Sequence, residues 1–248
     1  MSASQSIDLN CDLGEGGAND ASIMPLISSS NIACGGHAGD EMTMRETIRL
    51  ALKHGVAIGA HPGYEDRESM GRRSTNLSPV TITELVTRQL ELIAKIAKEF
   101  GTDIHHVKLH GALYHQADAD PKIASAVARA IQATLPQAMI YALPHACMQS
   151  AARDLGLGFR AEGFVDRRYC DDGSLVPRDQ AGAVMDDPTD AVAQVMEILS
   201  NGRVTSIGGV MIPIKIDTLC VHSDNESALE ILRSVREALN AAGVRVCH

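Results

Sequence analysis

The chain has 248 residues and a formal net charge of −9, with 45 % hydrophobic and 21 % charged residues. That acidity excludes a general nucleic-acid binder, which needs clustered Lys and Arg to meet phosphates. No apolar run approaches the ~18 residues of a membrane span, and no basic-then-apolar leader follows Met1, so a cytoplasmic protein without membrane contact is expected.

The first element, "IDLNCDLGEGG" from Ile7 to Gly17, alternates strictly and then stops on glycines. A strand here sets Ile7, Leu9 and Cys11 on one face and Asp8, Asn10 and Asp12 on the other. A helical pattern then runs over Glu41–His54 and ends at Gly55, followed by a short buried strand in "VAIGAHPGY". "TITELVTRQLELIAKIAKEFG" carries a capping-box signature at Thr81 and Glu84, with Gly101 as its stop. "HHVKLHGALY" reads as a strand. Asp120 and Pro121 form an N-cap and first-turn pair for a helix through Ile123–Thr134. "AMIYALP" is a strand, "HACMQSAARDLG" a helix ending at Gly156, and "GFRAEGFVDRRY" strand plus loop. "DPTDAVAQVMEILSNG" is a helix, "GGVMIPIKI" an apolar strand and "NESALEILRSVREALNAAG" the last long helix.

Strand, loop and helix at roughly 30 residues per unit is the cadence of a parallel sheet built from βαβ units. The expectation is an α/β fold, one (β/α) barrel of about seven parallel strands spanning 1–248 as a single catalytic domain. An open doubly wound sheet is the alternative. A barrel explains the polar face of the first strand, because that face then points into the lumen.

Unusual polar residues recur at the other strand ends. Asp12 and Glu15 follow the first strand, and "SNIACGGHAGD" supplies His37 and Asp40. "IGAHPGY" supplies His61 and Tyr64, and "VKLHGALY" supplies Lys108, His110 and Tyr114. "EGFVDRRY" supplies Glu162, Asp166, Arg167 and Arg168, and "CVHSDN" supplies His222, Asp224 and Asn225. Asp12, His61 and His110, one acid and two imidazoles, suit a divalent metal with open positions. The same groups suit acid, base and oxyanion roles without metal. Lys108 with Arg72, Arg73, Arg167 or Arg168 can hold a carboxylate or phosphate, unless Glu162, Asp166 and the arginines merely brace one another.

Other signatures fail. The six cysteines are scattered without C-x-x-C, which speaks against a disulfide scaffold or a cysteine-bound zinc. His106 and His110 lack the glutamate of H-E-x-x-H, and "GLGFRA" runs from helix to strand, the reverse of a dinucleotide-binding turn. Neither a P-loop nor a G-x-S-x-G elbow is present.

Taken together, "LNCDLGE", "NIACGGHAGD", "AHPGYED…MGRR", "VKLHGALY", "EGFVDRRYCDDGSLVPR" and "CVHSDN" resemble the LamB/YcsF family, in the family's order and over nearly the whole chain. The resemblance implies a seven-stranded barrel of the glycoside hydrolase and deacetylase kind. It also implies ATP-coupled opening of 5-oxoproline to glutamate, performed with two partner subunits, B and C. Cys11, Met70, Leu109, His115 and Ser223 depart from the family pattern without removing a chemical group. The expected catalytic set is Asp12, Glu15, His61, Lys108 and His110, with Asp12, His61 and His110 as the candidate metal ligands. Asn10, His37, Arg72, Arg73, Glu162, Asp166, Arg167 and Asp224 form the expected substrate-binding set. A metal-dependent deacetylase of a small N-acyl substrate and a non-catalytic lactam-binding subunit are the competing readings. The charged loops "EDRESMGRRST" and "RRYCDDGSLVPRDQ" mark the expected docking face for partners.

Overall fold

The computed structural model describes residues 5–248. The expectation about a leader bears in part on residues 1–4, outside the described residues. Among the described residues ten strands form: β1 (Ser6–Leu13), β2 (Ser29–Ala33), β3 (Ala57–His61), β4 (His106–Lys108), β5 (Met139–Ala142), β6 (Phe159–Phe164), β7 (Arg203–Thr205), β8 (Met211–Pro213), β9 (Thr218–His222) and β10 (Arg245–Val246). The helices are α1 (Asp20–Ile23), α2 (Glu41–His54), α3 (Pro79–Glu99), α4 (Gly111–Ala119), α5 (Pro121–Thr134), α6 (Cys147–Asp154), α7 (Pro188–Asn201) and α8 (Ala228–Ala241).

Strands β1 to β6 pair side by side in sequence order, and β9 pairs with both β6 and β1, all in parallel. The sheet therefore closes as a seven-stranded parallel barrel with helices between its strands. β10 adds two residues to the start of β1, with Ser6 opposite Arg245. Among the described residues no helix is long and apolar enough to cross a membrane.

Alternation on β1 works as the pattern demands. Leu9, Cys11 and Leu13 join the apolar layer under the helices, while Asp8, Asn10 and Asp12 are equally buried but bond across the lumen. Such burial of polar groups is tolerable only where each finds a partner. Local punctuation also holds in detail: α2 is capped by Asp40, whose side chain accepts from Thr43 N, and ends at Gly55 with φ 67°. Asp120 caps α5 ahead of Pro121.

Three local readings change. The cap of α3 is Ser78, which accepts from Thr81 N ahead of Pro79, so the helix begins before the Thr81–Glu84 box. A hydroxyl followed by a proline that needs no donor is the stronger start signal there. "HHVKLHGALY" is strand only to Lys108; Gly111 adopts φ 52° and starts α4, which carries Tyr114. "GGVMIPIKI" is not a barrel strand. Its Met211–Pro213 pairs antiparallel with β7 in a hairpin outside the barrel, and Met211 is exposed. The seventh barrel strand is β9, read in the sequence only through its polar end.

Candidate active site

Lumen-facing residues two apart on a strand lie about 6.6 Å apart along it, so each strand serves several depths. At the floor, Asp8 accepts from the hydroxyls of Ser28 (2.6 Å), Ser29 (2.7 Å) and Thr218 (2.7 Å). One level up, Asn10 donates to Thr218 Oγ1 (2.7 Å) and Glu162 Oε1 (3.1 Å) and accepts from Asn31 (2.7 Å). His106 Nε2 donates to Asn31 Oδ1 at 2.7 Å. Gly59 makes room for that imidazole, since a Cβ there would lie 2.1 Å from His106 Nε2. Asp8, Asn10 and Glu162 thus sit beneath the mouth rather than in its wall, and Tyr114 donates to Glu162 Oε2 from above at 3.0 Å.

At the mouth the groups become charged. Lys108 Nζ lies 2.7 Å and 3.0 Å from the two oxygens of Asp12, which also accepts from Asn31 at 2.8 Å. Burial would raise the Asp12 carboxyl, but His61 first and then Lys108 hold it well below the usual carboxylate range. Burial would likewise lower Lys108, and Asp12 more than reverses it. The pair is an ion pair at neutral pH. Glu162, with burial dominant and Lys108 opposing, is pushed up to about 7.

Beside this pair stands an imidazole cluster. His61 Nδ1 faces the carbonyl of Lys108 at 2.8 Å, and His110 Nε2 faces the carbonyl of Met70 at 2.7 Å. A carbonyl only accepts, so both of these nitrogens carry hydrogen. The other two nitrogens, His61 Nε2 and His110 Nδ1, then point at each other across 2.9 Å. Two bare lone pairs repel at that distance, so the contact requires a cation between or beside them. Glu15 supplies the balancing charge, with Oε1 3.2 Å from His110 Nδ1, 3.8 Å from His61 Nε2 and 2.9 Å from His37 Nε2. Burial would raise Glu15, but hydrogen bonds from His110 and His37 hold it far below its ordinary value. His37 stacks on His110 with ring centroids 3.6 Å apart, and burial lowers its pKa to about 4. Gly71, at φ 64°, leaves space for both rings, since its Cβ would lie 2.8 Å from His37.

This cluster bears on the expected metal ligands. Asp12 already has a lysine cation on both oxygens, whereas Glu15, His37, His61 and His110 offer donor atoms all within 4.8 Å of one another. His37 Nδ1 is buried with no partner among the described residues. Nitrogen donors with one carboxylate suit a divalent ion, so the residues fit one at Glu15–His37–His61–His110, while Asp12 belongs to a second donor group with Cys220 and His222.

His222 completes the mouth. Its Nδ1 lies 2.9 Å from Asp166 Oδ1, its backbone N donates to Asp166 Oδ2, and its Nε2 faces Asp12 at 3.9 Å. Burial would raise Asp166, and His222 holds it down. Above these groups opens a cavity of about 700 Å³, walled by Asp12, Lys108, His110, Tyr114, Arg167 and His222, with Arg72 and Arg178 at its rim. Arg72 and Arg178 both bind Asp224, Arg178 through two bonds of 2.6 Å and 2.7 Å. Arg73 stays out on the surface, 3.7 Å from Glu68, away from the cavity.

The structure thus gathers Asp12, Glu15, His37, His61, Lys108 and His110, and puts Arg72, Arg167 and Asp224 at or near the cavity. The expected set omitted His222, although its strand end was noted, and it passed over Arg178 altogether. A His-x-Asp after an apolar run and an arginine beyond "SLVP" were the available signals.

The family model described as LamB/YcsF family matches residues 7–248. The chain belongs to the LamB/YcsF family. It is 43 % identical over 98 % of its length to a Brevibacillus brevis protein named as the A-type subunit of 5-oxoprolinase, covering 97 % of that protein. To the protein of the same name from Symbiobacterium thermophilum it is 46 % identical, covering 97 % of this chain and 94 % of that one. Its fold matches the crystal structure of the lactam utilization protein from Thermus thermophilus at a TM-score of 0.91 and 39 % identity, over 98 % and 99 % of the two chains. A family 4 carbohydrate esterase from Streptomyces lividans shares the fold at a TM-score of 0.54 and 10 % identity, over 99 % of this chain and 93 % of that one.

Proposed function

We propose that this chain is the A-type component of an ATP-dependent 5-oxoprolinase, opening 5-oxo-L-proline to L-glutamate with ATP as co-substrate and the B and C subunits as partners. The name carried by relatives of more than 40 % identity over nearly full length supports the reaction. What supports a catalytic role for this chain itself is one observation: an Asp166–His222 dyad whose free nitrogen opens on a cavity beside a buried Asp12–Lys108 ion pair.

A five-membered lactam is a stable amide, and moving the γ-phosphoryl group of ATP onto its carbonyl oxygen makes that carbon electrophilic. Water then adds to the carbon, the ring C–N bond breaks as nitrogen takes a proton, and a second water releases phosphate from the acyl phosphate. His222 Nε2 is placed to take the proton from water, with Asp166 fixing its tautomer and orientation. Lys108, kept charged by Asp12, stabilises negative charge developing on oxygen. Once it holds the proton from water, His222 can pass it to the departing nitrogen. Glu15, His37, His61 and His110 are the residues that would hold a divalent ion, whose chemistry there would be to polarise a substrate oxygen.

This chain, purified and mixed with both partner subunits, 5-oxoproline and ATP, tests the reading when one component is omitted at a time. Glutamate formed only by the full mixture, and lost with His222→Gln in this chain, is the expected result. ATP-independent, metal-dependent hydrolysis of an N-acyl amide by this chain alone would instead favour a deacetylase, the reading that the four-residue donor cluster supports.

A further inference from the structure

Six arginines stand on the mouth loops, and four of them have carboxylate partners; a fifth, the exposed Arg67, donates to the carbonyls of Gly35 and Gly39. Arg72 and Arg178 bind Asp224, Arg73 lies by Glu68, and Arg168 turns outward to Asp190 at 3.0 Å. Among the described residues of these loops, Arg167 is the buried arginine without a carboxylate partner. It is only 3 % exposed, its Nη2 donates to the carbonyl of Val176 at 2.6 Å, and its Nε has no partner. Its neighbour Asp166 is no substitute, since both oxygens are taken by His222. The guanidinium nevertheless lines the cavity.

A buried, uncompensated cation is costly, and breaking such pairs is strongly destabilising in proteins. A site that keeps one, and sets Arg178 and Arg72 near it, is incomplete without an anion. Burial and the charge of Arg178 indeed pull the Arg167 guanidinium below its usual range. Lys108 is not the free cation here, because Asp12 neutralises it.

We infer that Arg167 is the seat for the substrate's carboxylate, binding it through the planar fork of its guanidinium and thereby fixing which face of the lactam meets His222 and Lys108. This rests on the proposed 5-oxoproline reading and adds the specificity determinant. A single buried fork matches a carboxylate. A phosphate arriving with ATP would meet the rim arginines first, where Asp224 must release them.

The test is binding of 5-oxoproline and of 2-pyrrolidinone, the same ring without the carboxylate, to the full chain and its Arg167→Gln and Arg167→Lys variants. Inorganic phosphate serves as a third probe. Wild type should prefer 5-oxoproline over 2-pyrrolidinone by about 30-fold or more, the scale of one desolvated charge pair. Arg167→Gln should erase that preference while leaving 2-pyrrolidinone affinity within about twofold, and its melting temperature without ligand should not fall. Arg167→Lys, which keeps charge but loses the fork, should keep part of the preference and serves if the glutamine variant does not fold. An undiminished preference in both variants overturns the assignment of Arg167 alone. Loss of phosphate binding with 5-oxoproline preference intact overturns it in favour of a phosphate seat. Failure of wild type to bind 5-oxoproline brings down the functional reading, and this one with it.

Discussion

At the floor of the barrel Asp8 accepts from three hydroxyls, and above it Asn31 donates to Asn10 and Asp12 while accepting from His106. At the mouth, at the ends of these strands and in the turns that follow them, two imidazole nitrogens confront each other and a guanidinium nitrogen has no partner. Both regions are buried and both are polar. A satisfied network specifies a shape and has nothing left to offer a ligand. An unsatisfied one stores free energy that a proton, a cation or a carboxylate can release.

That contrast breaks most visibly at Asp12. Asp12→Asn should cut turnover at least a hundredfold. It should also destabilise the chain by about 3–5 kcal/mol, because Lys108 is left buried without its counter-charge. Asp12→Asn combined with Lys108→Met should regain stability in denaturant melts without regaining activity. A single variant that melts like wild type would mean that the pair is solvated. His222→Gln sharpens the other side: steady-state assays should show a loss of about a hundredfold or more, with an unfolding midpoint close to wild type. Equal losses of stability and turnover would move His222 into the floor class.

Asn31→Ala should do the reverse, costing about 1–3 kcal/mol by stranding buried partners while altering turnover per folded molecule only severalfold. Glu162 adds a pH signature to the middle level. Its carboxyl titrates near 7 when folded against an unfolded value of 4.5, so the folded state holds the proton longer. Stability from this group is full below pH 4.5 and is lost as pH rises towards 7, by a few kcal/mol at most. Glu162→Gln should flatten that slope in melts taken across pH 4.5–7.5. The smallest effect is expected for Arg73→Ala, within about twofold in activity, since an exposed arginine beside Glu68 contributes little. A large loss there would point to a partner surface on that loop.

Much of this was legible in the residues. Period-two alternation on Ile7–Leu13 depends only on strand geometry, so it named the lumen-facing groups before any partner was known. Depth was not legible: Asp8 and Asp12 look alike in sequence, and only the stagger of neighbouring strands decides which meets hydroxyls and which meets lysine. Glu15 and His37 were found by their glycine-rich turns, but their contact depends on loop paths from two strands. That Lys108, 96 positions away, lies on both oxygens of Asp12 has no local sign in the sequence. The hairpin at Met211 was mistaken for a barrel strand because an apolar run of that length suits either place.

The seam between β1 and β9 has a consequence for how the protein comes into being. Asp8 is registered against Thr218 and Asp12 against His222, more than 200 positions along the chain. A growing polypeptide can lay β1 beside β2 early, yet the other edge of β1 stays unpaired until nearly the last strand has left the ribosome. Contacts of such sequence separation form late and slowly, and an open strand edge meanwhile invites association with other chains. The dyad nitrogen of His222 reaches Asp12 only when that seam shuts, so an incomplete chain carries most of the barrel without the dyad beside its ion pair.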